Sequence, residues 1–178
     1  MNKLNSLMTA TICCLLFSGT FNFSSGQENN NDDVKSLDGI ITALYASISG
    51  EKGVPRDWDR FSLLFTPDAR LIPTSRNQEG KLQYNAVSPA DYIKNAEPYF
   101  LENGFFEKEI YRVKEEYGPI VHIFSTYESR SSENDSDPFN RGINSIQLFN
   151  DGERWWIMTI FWSHELKEAP LPQKYLPH

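Results

Sequence analysis

At Asn103-Gly104 the chain changes its hydrophobic period. Before that point apolar residues recur at spacings of three and four; after it they recur at spacings of two. The first period is that of a helix with one buried face, the second that of a strand with one buried face. Helices therefore gather in the first half and long strands in the second. That segregation excludes the alternating order of a parallel βαβ sheet and predicts an α+β domain.

Three helices are expected. Val34 to Ser49 carries Val34, Leu37, Ile40, Ile41, Leu44, Tyr45 and Ile48 on one face, with Asp33 as its cap and Ser49-Gly50 as its stop. Asp57 to Phe65 is short, with Trp58, Phe61, Leu64 and Phe65 as its stripe and Thr66-Pro67-Asp68 as its end. Ser88-Pro89-Ala90-Asp91 reads as a helix start, a hydroxyl cap followed by proline and an acid in the first turn. That helix runs to Asn103-Gly104 and should bend or thin at Pro98. Between the second and third helices, Ala69 to Thr74 and Lys81 to Ala86 read as a strand and its hairpin mate. Beyond the switch, Phe105 to Tyr117 and Ile120 to Arg130 flank a Gly118-Pro119 turn, and Gly142 to Phe149 and Arg154 to Ser163 flank Asp151-Gly152. A curved sheet wrapped around its helices encloses a cavity.

The N-terminus reads as an export signal. Lys3 is the only charge in residues 1–26, and Leu7 to Phe17 is apolar apart from Thr9 and Thr11. This run is shorter than the roughly 20 residues needed to span a bilayer. Ser24 and Gly26 suit a cut before Gln27, which predicts a secreted or periplasmic protein. Cleavage removes Cys13 and Cys14, so the mature chain would hold no disulfide, thiol nucleophile or cysteine metal site. Roughly 150 residues remain, enough for one domain with a real core. Residues 27–33 form a polar spacer, 34–165 the domain, and 166–178 a proline-rich tail. The net charge of −7 becomes one unit more negative when Lys3 leaves. An acidic surface without a basic patch argues against nucleic acid or an anionic membrane as partner.

Three stretches carry a resemblance: Asp57-Trp58-Asp59-Arg60-Phe61, Phe65-Thr66-Pro67-Asp68-Ala69-Arg70-Leu71, and Asp151-Gly152-Glu153-Arg154-Trp155-Trp156-Ile157. With the element order, they make Val34 to Glu165 resemble the nuclear-transport-factor-2-like group, which includes ketosteroid-isomerase-like and SnoaL-like proteins. The resemblance implies a cone: a curved antiparallel sheet wrapped around about three helices and enclosing a pocket. It implies no single reaction, because the group spans isomerases, dehydratases, hydrolases and binders that do no chemistry. Isomerase-like members use a carboxylate base and a hydroxyl donor in an apolar cavity.

Candidates for such a site follow from residue type and alternation. Tyr45, Trp58, Tyr92, Tyr111 and Trp162 are aromatics able to reach a pocket. Glu109 and Tyr111, two residues apart, would place an acid and a phenol on one face, although Glu107 and Glu115 beside them also fit a solvated charged face. His122 shares a face with Phe124, Thr126 and Glu128 and is a candidate base, or else a histidine bonded on a sheet surface. His164 lies at the end of its strand. Ser145 and Gln147 share a face and could orient a ligand, or pair across the sheet. No histidine spacing suggests a metal site, and no phosphate or dinucleotide loop suggests a cofactor. The expected function is an exported pocket protein for a small apolar or aromatic organic molecule. The alternatives are a cofactor-free isomerase, dehydratase or hydrolase using Glu109 or His122, and an interaction module with a filled cavity.

Trp155 to Trp162 is apolar at every position but Thr159. A strand covered on both faces would read this way. Alternation puts Trp156, Met158, Ile160 and Trp162 on one face and Trp155, Ile157, Thr159 and Phe161 on the other. The first set is expected to meet a second copy of the chain in a homodimer, the second to face the pocket.

Overall fold

The computed structural model describes residues 32–178; the expected signal segment and most of the spacer lie outside them. Helix α1 spans Leu37–Ile48, α2 Trp58–Leu63 and α3 Pro89–Glu102. Strand β1 spans Phe65–Arg76, β2 Leu82–Tyr84, β3 Phe106–Tyr117, β4 Ile120–Arg130, β5 Asn140–Asn150 and β6 Trp155–His164. All six strands form one open, curved sheet in the order β2-β1-β6-β5-β4-β3. Each pairing is antiparallel except β1 with β6, which is parallel. The three helices pack on the concave face. Ile40, Ile41, Leu44, Phe61 and Leu64 there meet Ile123, Ile146, Leu148 and Ile157 of the sheet in one buried core. Burying such side chains is the main favourable term in the fold.

The helix starts follow local chemistry. Ser88 Oγ accepts from Asp91 N at 3.1 Å and Asp57 Oδ1 accepts from Arg60 N at 2.9 Å, both as side-chain caps. At α1 the cap is Ser36, whose Oγ takes Gly39 N at 2.9 Å. Asp33, expected in that role, instead holds Arg60 through two hydrogen bonds of 2.6 and 2.8 Å. The pair ties the start of the domain to α2.

Two β-bulges overturn the alternation expected along the strands. In β3 the register shifts between Glu109 and Tyr111, so Ile110 is an extra residue. Glu109 stays on the concave face with Tyr127, while Tyr111 passes to the convex face opposite Thr126. The pair expected on one face is split across the sheet. In β6 the shift falls at Met158, between the pairs Leu148 with Ile157 and Gln147 with Thr159. Ile157 and Ile160 are therefore both buried, while Met158 and Phe161 are 44% and 45% exposed. The concave set is Trp155, Ile157, Ile160 and Trp162. An unbroken apolar run arises here because the inward positions change parity in mid-strand.

The convex face is partly roofed by the chain's own tail. Thr126 Oγ1 donates to Tyr175 O at 2.6 Å, and the Tyr175 ring lies 5.3 Å from that of Phe124. His178 packs edge-on to Tyr111 with ring centres 5.7 Å apart. Ile72, Tyr84, Met158 and Phe161 lie on that side away from these contacts.

Candidate functional site

The ladder of the sheet brings polar residues together in three neighbouring rows on the concave face. Glu107, Ser129 and Asn140 face one another across β3, β4 and β5. The next row is Glu109, Tyr127, Gly142 and His164, and the next Arg112, Ser125, Asn144 and Trp162. Helices α1 and α3 close over these rows and contribute Tyr45 and Tyr92. The cavity so formed measures about 300 Å³. Phe61, Leu71, Phe100, Phe105, Ile160 and Trp162 supply apolar wall, and the half-exposed Tyr99 stands at its rim. No lysine or arginine among the described residues lines it.

Gly142 makes the middle row possible. A Cβ there would fall 2.5 Å from the Tyr127 hydroxyl and 2.4 Å from Ser163 O. With only hydrogen in that place, the Tyr127 side chain crosses β5 and its hydroxyl reaches His164 Nδ1 at 2.8 Å. Asn140 Nδ2 lies 2.6 Å from the same nitrogen. As an acceptor Nδ1 offers one lone pair to two neighbours, and the proton of the neutral ring then sits on Nε2. Burial pushes the imidazole below its ordinary range, which favours that neutral form.

A second chain of hydrogen bonds crosses the floor. Arg112 Nε donates to Glu109 Oε2 at 2.7 Å, and its Nη1 to Asp38 Oδ1 at 2.7 Å. Ser125 Oγ donates to Glu109 Oε1 at 2.6 Å. Its one proton is thereby committed, so in the 2.7 Å contact with Tyr45 the tyrosine is the donor. Asn144 Nδ2 then donates to the Tyr45 oxygen at 3.0 Å. Tyr45 thus spends its proton on protein. Tyr92 does not: its hydroxyl has no hydrogen-bond partner among the described residues.

Glu107 is the group the site is built around. Its carboxyl accepts from Ser129 Oγ at 2.8 Å and has no cationic partner among the described residues. Glu107 retains some accessible surface, but its carboxyl is packed among protein atoms. Loss of water there pushes its pKa up to about 7, against the opposing hydrogen bonds of Ser129 and Asn144. Burial raises the hydroxyls of Tyr45, Tyr92 and Tyr127 above the ordinary tyrosine range, and the charge of Glu107 adds to each. Three phenols and one carboxyl therefore share one cavity. Among the described residues no cluster of histidine, cysteine, aspartate and glutamate suits a metal ion.

No family model matches the sequence, and no curated protein matches it. Solved structures do match. A function-unknown protein from Mycobacterium tuberculosis aligns with a TM-score of 0.54 at 12% identity, over 76% of this chain and 79% of that one. A protein of unknown function with a cystatin-like fold from Nostoc punctiforme PCC 73102 aligns at 0.53 and 9%, over 75% and 96%. An NTF-2 like protein of unknown function from Silicibacter pomeroyi DSS-3 gives 0.48 and 14%, over 80% and 100%. The first two alignments agree with the element order and the open curved sheet described above. The fold is nuclear-transport-factor-2-like. At such identities the agreement is one of fold and carries no reaction.

On this nuclear-transport-factor-2-like frame the sequence-predicted residues divide. Tyr45, Tyr92 and Trp162 line the cavity. Trp58 stands behind it, stacked on Phe100 at 5.9 Å and edge-on to Phe61 at 5.7 Å. Glu109 lies on the concave face but is held by Arg112 and Ser125. Tyr111, His122, Ser145 and Gln147 lie on the convex face, where His122 Nε2 meets Ser145 Oγ at 2.8 Å. Sequence reasoning left out Glu107, Tyr127, Asn140 and Asn144 and put His164 last. Glu107 read as part of a solvated acidic face, because plain alternation grouped it with Glu115 across a bulge that reverses parity. Gly142, near the start of an otherwise filled strand, was the available signal that a side chain crosses there.

Proposed function

We propose that this is a pocket protein that binds a small, largely apolar or aromatic organic molecule in the cone. The observation that carries this reading is the cavity itself: aromatic walls around one desolvated carboxyl, with a free hydroxyl beside it. At about 300 Å³ it stands at the low end of the roughly 300–1,000 Å³ of ligand pockets, so a compound of one or two rings fits. Its polar group would sit between Glu107 and Tyr92. Export past an N-terminal signal and pairing of two copies through the convex face belong to the same reading. Support for the pairing comes from the exposed Met158 and Phe161.

Equilibrium dialysis with phenol, indole and naphthol tests the pocket. At least one should bind the wild type, and Ala96→Trp, which fills the cavity from α3, should abolish that binding. If none of the three binds, or if binding survives Ala96→Trp, the reading fails.

A second reading, cofactor-free proton transfer, is favoured by the position of Glu107 near neutrality. A base of that strength is half-ionised at working pH. It would take a proton from a carbon next to a carbonyl, while the Tyr92 hydroxyl donates to the oxygen that gains charge. Returned to another carbon, the same proton completes an isomerisation without cofactor.

A further inference from the structure

Resting on the pocket reading above, we infer that the preferred ligands are organic amines bound as cations, with the ammonium at Glu107 and the apolar body among the rings. The argument is one of charge. A carboxylate in an apolar space is costly unless it is paired, and the cavity supplies only neutral donors. The groups facing Glu107 come from every packed element: Tyr45 of α1, Tyr92 of α3, Ser129 and Tyr127 of β4, Asn144 of β5, and neutral His164 of β6. Along β3, Glu109 is already neutralised by Arg112. Lys108 and Arg130 lie near the outer approach to Glu107, with Arg130 Nη2 engaged by Glu128 at 2.9 Å. A cationic ligand thus brings the one charge that the site lacks.

The walls favour the same ligand. Aromatic faces carry negative potential and attract an ammonium within about 6 Å of the ring centre. Tyr45, Tyr92, Tyr127 and Trp162 surround the cavity's polar end, and none of their faces is required by a lysine or arginine there. An anionic ligand would meet Glu107 with like charge. A neutral alcohol would gain one hydrogen bond without relieving the buried carboxyl.

Calorimetry with three probes of one shape decides it: phenethylamine, phenethyl alcohol and phenylacetate. At pH 8 the amine should bind at least about ten-fold tighter than the alcohol, and phenylacetate should bind weakest. Glu107→Gln should erase the amine's advantage while the alcohol still binds. In the wild type at pH 6.5, where Glu107 is mostly protonated, amine binding should release most of a proton, read as a dependence of the heat on buffer identity. That measurement stands even if the variant does not fold. Alcohol or phenylacetate binding as tightly as the amine, or amine binding without proton release, overturns the amine inference and leaves the pocket reading intact. No binding by any of the three overturns both.

Discussion

Arg56 is a cation with no acidic side chain in contact, buried to 6% exposure. Its guanidinium serves carbonyls instead: Ile48 O at 2.9 Å, Gly50 O at 2.7 Å, Glu51 O at 3.1 Å and Phe100 O at 3.3 Å. Ile48 O and Phe100 O belong to the last turns of α1 and α3, so one side chain joins two helix ends. Arg56→Ala should cost about 3 kcal/mol in denaturant unfolding, and Arg56→Lys should recover little, since an ammonium cannot reach in so many directions. Glu107 sets a different signature, in pH. Its folded pKa of about 7 exceeds the unfolded carboxylate value, so the folded state binds the extra proton. Stability from this group is fully present below about pH 4.5 and is lost as pH rises through 7, by an amount on the order of 2–3 kcal/mol. Glu107→Gln should flatten that decline in unfolding free energy between pH 5 and 8. A wild-type profile that is already flat there would contradict the desolvated carboxyl.

Among the elements, β6 shows what a sequence reveals and what it hides. Helix caps, turn glycines and the change of period are local, so Ser88-Pro89, Gly118 and Asp151-Gly152 mark their elements directly. Strand ends at Tyr117, Ile120 and Arg130 agree with the expected ones. A bulge is different. Met158 and Ile110 look like any other strand residues, and their extra place exists only relative to the partner strand. Every inward or outward assignment beyond a bulge is then reversed, which is how Ile160 came to be expected on a dimer surface and Tyr111 beside Glu109. The parallel pairing of β1 with β6 was hidden for the same reason, being a relation between segments far apart. Paired substitutions expose the bulge: Ile160→Glu should unfold the domain by burying an unpaired charge, while Phe161→Glu should leave it folded. Equal effects would place the two residues on equivalent surfaces and refute the shift.

For the whole molecule, Phe161→Glu also reports on association. Sedimentation of the wild type at several concentrations should show a dimer that this variant splits into folded monomers; a wild type that stays monomeric removes the convex face as an interface. The topology adds a constraint of another kind, on timing. Strand β1 leans on three residues of β2, on a bridge from Leu71 to Val87 and on β6, whose Trp155 N donates to Val34 O at 2.8 Å and Ile157 N to Leu64 O at 2.8 Å. The strand that closes the sheet onto its earliest segments is the last to be made. Until it is made, the end of α2 and the length of β1 lack their partner strand, and the long-range pairing that anchors β1 cannot begin. Nascent chains arrested before Trp155 should therefore be cut by protease within β1, and chains released after Glu165 should become resistant there. The first strand of the sheet thus waits on the sixth, so for this pair the order of folding runs against the order of synthesis.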